Sequence, residues 1–157
     1  MGLDMYLKGK RYLSSYNDQD KPVKTALNKL IFGEDFSFKE YDNQISVNEI
    51  TAEVGYWRKA NAIHKWFVDN VQEGIDECQE SYVSREQLQE LLDVCNKVLT
   101  DKNLASELLP PQAGFFFGST DVDDWYISDV QFTADRLTEL LTDEKWSDWE
   151  FYYHASW

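Results

Sequence analysis

The chain has 157 residues, 43% of them hydrophobic and 15% aromatic, and a net charge of −14. A chain of this length fits one domain and can bury about 70% of its unfolded surface. So negative a field repels nucleic acid and anionic membranes, which excludes direct binding to either unless a local patch reverses it.

The charge is unevenly spread, and residues 118–150 carry two basic against ten acidic side chains. No stretch approaches the roughly 18 uninterrupted apolar residues of a membrane span. "MGLDMYLKGKRYL" holds no leader-like apolar run, and Tyr6 stands where a myristoylation signal wants Ser or Thr. Two cysteines, Cys78 and Cys95, make no disulfide framework and read as reduced thiols on or beside helices.

In chain order, residues 1–14 alternate loosely and predict a strand, a tight turn near Lys8-Gly9, and a second strand through Tyr12. A polar loop follows, and Pro22 opens a helix through Ala26, Leu27, Leu30 and Ile31 that Gly33 stops. Phe36–Phe38 reads as a short strand or an ordered loop. Ile45–Trp57 is β-branched and extended, with Gly55 ending the strand. A helix from Arg58 to about Gln72 follows, carrying Ala62, Ile63, Trp66, Phe67 and Val71 on one stripe.

Ser84 and Gln87 form a capping-box signature before Leu88, Leu91, Leu92, Cys95, Val98 and Leu99. A short helix covers Leu104–Leu109, and the run around Phe116 reads as a buried strand. The last helix spans about Asp123 to Leu141, and the tail alternates with Trp149, Phe151 and Tyr153 on one face. Strands at both ends with helices between them predict an α+β fold: a single domain, residues 1–157, with a largely antiparallel sheet and about four helices. The expected core contains Trp66, Phe67, Leu88, Leu91, Leu92, Phe116, Val130, Leu137 and Phe151.

Two stretches concentrate functional groups. "GYWRKANAIHKWF" (Gly55 to Phe67) predicts Arg58, Asn61 and Lys65 along one helix face, with His64 at its border and Trp57 beside it. Such a row can hold a phosphate or carboxylate, or it is a solvated helix face. "GFFFGSTDVDDWY" (Gly114 to Tyr126) crowds Asp121, Asp123 and Asp124 into a turn. These carboxylates suit either a divalent cation or the N-cap of the last helix, and they lack the Gly and distal Glu of an EF-hand. No P-loop, dinucleotide fingerprint, zincin or nucleophile-elbow pattern is present, so no cofactor, no metal and no catalytic residue is expected. The closing "FYYHASW" predicts that Trp157 packs into the body of the domain or into a partner, its carboxylate near Arg58 or Lys59.

"MGLDMYL", "VGYWRKANAIHKWFVDNVQ", "YVSREQL", "GFFFGSTD" and "FYYHASW" resemble a family of small proteins encoded by bacteriophages and prophages. The resemblance spans nearly the whole chain and carries no catalytic residues with it. It implies an accessory protein in the cytoplasm of a host bacterial cell, binding and inhibiting or modulating a host protein of defence or nucleic-acid handling. With the acidic surface, this gives a partner with a basic face, engaged through Asp123, Asp124, Asp129, Asp135 and Glu139 in imitation of nucleic-acid charge. The alternative is a nucleotide-like ligand or a hydrolase substrate in a pocket of Trp57, Arg58, Asn61, His64, Asp121 and Asp124. The oligomeric state is left open.

Overall fold

The computed structural model describes residues 2–35, 45–114 and 120–157. The expectations for Phe36–Phe38 and Phe116 lie outside these residues. Among the described residues the order is β1 (Asp4–Tyr12), α1 (Asp20–Phe32), β2 (Glu49–Arg58), α2 (Asn61–Asn70), β3 (Ser81–Val83), α3 (Arg85–Thr100), α4 (Ala105–Leu108), α5 (Asp124–Thr142) and β4 (Glu150–Ser156). The fold is α+β, with one sheet of order β2-β1-β4-β3. The strands nearest the two ends of the chain are thus neighbours at its centre.

The sheet is antiparallel. Ser81 pairs with Tyr153 and Val83 with Phe151. Tyr6 stacks on His154 while Gly9 faces Trp149 and Phe151, so β1 and β4 run in opposite directions. The Lys59 amide donates to the Leu3 carbonyl and the Leu13 amide to the Asn48 carbonyl, so β1 and β2 also run in opposite directions.

Two compact units emerge, Met1–Gly9 with Glu53–Trp157, and Lys10–Ala52. In the larger, strand alternation buries Met5 and Leu7 on β1 and Phe151, Tyr153 and Ala155 on β4. Phe67 of α2 lies flat on Tyr153, ring centroids 3.9 Å apart and planes within 6°. Helix α3 packs on α5 through Leu88, Leu91, Leu92, Cys95 and Val98 against Val130, Ala134, Leu137 and Leu140, all buried. Each such Leu is worth about 1.5–3 kcal/mol relative to exposure. The capping box forms: Ser84 Oγ accepts from the Gln87 amide and the Gln87 side chain accepts from the Ser84 amide.

Two glycines read as punctuation turn out to be packing positions. No turn interrupts β1 at Gly9; a Cβ there would come within 3.1 Å of Trp149 and 3.3 Å of Val54. β2 runs past Gly55 to Arg58, and a Cβ on Gly55 would lie 2.8 Å from the Trp57 indole, which folds back over it. Consequently α2 starts at Asn61, and Arg58 is a strand residue.

In the smaller unit α1 has its polar residues inside. Asp20, Lys24 and Asn28 are buried one turn apart, while Leu30 is 81% exposed and Ile31 and Phe32 are exposed beside it. The buried groups are satisfied locally. Asp20 accepts from Arg11 and from the Ser14 amide. Lys24 donates to Ser15 and Asn48, and Asn28 joins the Lys24 carbonyl to the Val47 amide. The periodicity of Ala26, Leu27, Leu30 and Ile31 predicts the helix correctly and does not identify its buried face.

Candidate functional site

In the larger unit, the end of β2, the start of α2 and the first turns of α5 enclose a cleft of about 670 Å³. One wall carries Arg58, Lys59 and Asn61, the other Asp121, Asp123 and Asp129, with Trp125, Tyr126 and Gln112 completing the lining. That volume lies within the range of small-ligand sites. Three of the residues expected to share a site, Arg58, Asn61 and Asp121, do converge here.

Asp123 sits at the mouth as the N-cap of α5, its Oδ1 accepting from the Tyr126 amide at 2.8 Å. This follows from the cap preference of Asp and the positive end of the helix dipole. Asp129, a turn and a half further along α5, is partly buried. Burial and then the like charge of Asp123 push its carboxyl up to about 6. Among the described residues no donor or cation holds that carboxylate. Nor does any group of three or more His, Cys, Asp or Glu there form a metal-binding cluster. The basic wall is already partnered: Arg58 Nε lies 3.9 Å from Asp4 with its side chain 65% exposed, and Lys59 and Asn61 also have partners.

Trp57, His64 and Asp124 do not line the cleft. Trp57 is only 3% exposed, and its indole donates to Thr133 Oγ1 at 2.8 Å, so it is core with no face left for a ligand. Arg58, Asn61 and Lys65 do not form one helical row, because Arg58 precedes the helix; Lys65 instead pairs with Asp69. His64 belongs to a separate chain of hydrogen bonds. Its Nδ1 lies 2.8 Å from the Tyr153 hydroxyl and its Nε2 3.0 Å from Asp76, which also accepts from the Trp157 indole at 3.1 Å. The terminal Trp157 is therefore tied to Asp76 through its ring while remaining 60% exposed. Cys78 is exposed in a loop rather than beside a helix, and burial pushes the Cys95 thiol up to about 12.

The five acidic residues expected to form one interface separate into three settings. Asp123 and Asp129 line the cleft. Glu139 is clasped by Arg136 and Lys145, and the Lys145 hydrogen bond lowers its pKa. Asp124 and Asp135 lie exposed on the outer face of α5, with Gln131 donating to Asp135. Between them the same face presents Trp125, 82% exposed, and Phe132, partly exposed. Sequence reasoning passed over this aromatic pair. Its signal was available, because Trp125 and Phe132 are seven apart and fall off the Val130, Ala134, Leu137 stripe.

No helix among the described residues is long and apolar enough to cross a membrane. Comparison of the chain with protein-family models, curated proteins and solved structures finds no match.

Proposed function

We propose that this chain is a protein-binding module that docks a basic partner on the outer face of α5. The observation that carries this reading is Trp125, a large indole left 82% exposed on a helix that also exposes Asp124 and Asp135. An exposed Trp amid carboxylates suits a surface of lysines and arginines. The ring covers their aliphatic stems and attracts their charged heads, while the carboxylates pair with them. Trp is also the residue type most enriched among dominant interface contacts. The net charge of −14 speeds the encounter with such a partner and repels acidic competitors. The resemblance to bacteriophage proteins supplies the context, a bacterial host protein as the partner.

The second reading, a small-ligand site, is favoured by the cleft itself, whose two walls carry opposite charge. The convergence of Arg58, Asn61 and Asp121 supports it; the burial of Trp57 removes the ring that would stack a base.

Immobilised protein should retain a host protein from a bacterial lysate that the Trp125→Ala variant does not retain. With that partner purified, calorimetry should show Trp125→Ala weakening the complex by about 2 kcal/mol or more, roughly thirtyfold. Asp124→Lys with Asp135→Lys should weaken it further. A complex indifferent to all three substitutions would overturn the reading.

A further inference from the structure

We infer that the cleft beside Trp125 is a receptor for a single arginine side chain of the partner, its guanidinium seated on Asp129 and Asp123. This rests on the protein-binding reading and names the chemistry of the contact. Three observations lead to it. The cleft is a formed cavity of about 670 Å³, with Trp125 on its lining, so it is continuous with the proposed docking face. Asp129 reaches into it partly buried, with no donor or cation holding it among the described residues. A partly desolvated carboxylate with no cation beside it gains when one arrives. Asp123, its Oδ1 accepting from the Tyr126 amide, lines the same cleft.

A guanidinium matches this arrangement better than an ammonium does. Its planar fork can reach two carboxylates at once, and its face can stack on an indole. The opposite wall sharpens the selection. Arg58 and Lys59 stand across the cleft from Asp129, so a second cation next to the first is repelled and a neutral or acidic neighbour is accepted. The groups that act on an occupant are thus Asp121, Asp123 and Asp129 on one side and Arg58 and Lys59 on the other. Ionised Asp129 is the binding form. Because its carboxyl is raised to about 6, seating should weaken as pH falls through that value.

The test uses the full chain and a capped Gly-Gly-Arg-Gly-Gly peptide, followed by amide and indole shifts in two-dimensional NMR. The expected result is saturable movement of the Trp125 indole and of the amides of Asn61, Asp123 and Asp129. The same peptide with citrulline, a neutral isostere of arginine, should bind at least about tenfold more weakly. Asp129→Asn should lose a similar factor and also lose the pH dependence near 6. Equal binding of the arginine and citrulline peptides, no saturable shift with either, or full binding by Asp129→Asn overturns the inference. These outcomes are separable from failure of the docking reading. If the purified partner is lost by Trp125→Ala but not by Asp129→Asn, the face stands and the arginine receptor falls.

Discussion

At Asp129 the fold holds a carboxylate partly out of water with a like charge, Asp123, as its neighbour. Its pKa moves from 3.8 to about 6, and a shift of that direction penalises the folded state wherever the group is ionised. The sign follows from proton counts. Between pH about 4 and about 6 the folded chain binds more protons than the unfolded one, so stability falls as pH rises through that window. Removing the charge removes the penalty. Asp129→Asn should therefore raise the melting temperature at pH about 7.5, by a stability of about 1–2 kcal/mol after allowing for partial solvation. Well below pH 3.8, where both states of the wild type are protonated, the two proteins should melt alike. A variant less stable than wild type at neutral pH would mean that Asp129 makes a stabilising contact. A charge kept at the expense of stability is the pattern expected where a residue serves binding.

Among the elements, α3 and α1 make an instructive pair. The start of α3 was legible because its signals are local. Ser84 and Gln87 satisfy each other across one turn, and the apolar stripe behind them has a single place to go. Ser84→Ala should cost about 1 kcal/mol, read as a lower urea midpoint with an unchanged slope. A midpoint unchanged from wild type would show that the helix start is held by packing alone. Helix α1 was legible as a helix and misleading as to its face. Which side of it is buried depends on residues outside the helix, Arg11 and Ser15 from the segment before it and Val47 and Asn48 from the segment after it, reaching Asp20, Lys24 and Asn28. At the boundary between β2 and α2 the deciding contact is local but depends on a side-chain orientation. Gly55 resembles a strand stop until the Trp57 ring is seen to occupy the space over it. That slip moved Arg58 off its expected helix and into the cleft wall, and it turned Trp57 from a candidate clamp into core. The site was thus half legible. Local crowding in the sequence singles out Arg58, Asn61 and Asp121 of the cleft lining, whereas Asp129 and Trp125 join that lining through the turn of α5.

On the scale of the whole molecule, the net charge of −14 acts on folding and on binding with opposite signs. Within the folded chain the carboxylates repel one another, because compaction brings them closer than they are in the unfolded state. Across the proposed interface the same charges attract the basic partner. Salt screens both. Raising it from about 0.02 M to about 0.2 M shortens the Debye length from roughly 20 Å to roughly 7 Å. The isolated protein should therefore become more stable over that range. Each 1 kcal/mol gained would raise the melting temperature by about 2–4 °C for a domain of this size. The complex should weaken over the same range, chiefly through a slower association rate, with dissociation little changed because Trp125 is held by contact rather than by field. The pairing of the two trends is the informative part. A partner held by apolar contact alone would show the first trend and not the second. Calorimetric melting of the free protein and stopped-flow association with the purified partner, run in the same buffers, measure both. An association rate that does not fall with salt, beside a melting temperature that rises, would show that the acidic surface keeps the chain dispersed without guiding it to its target.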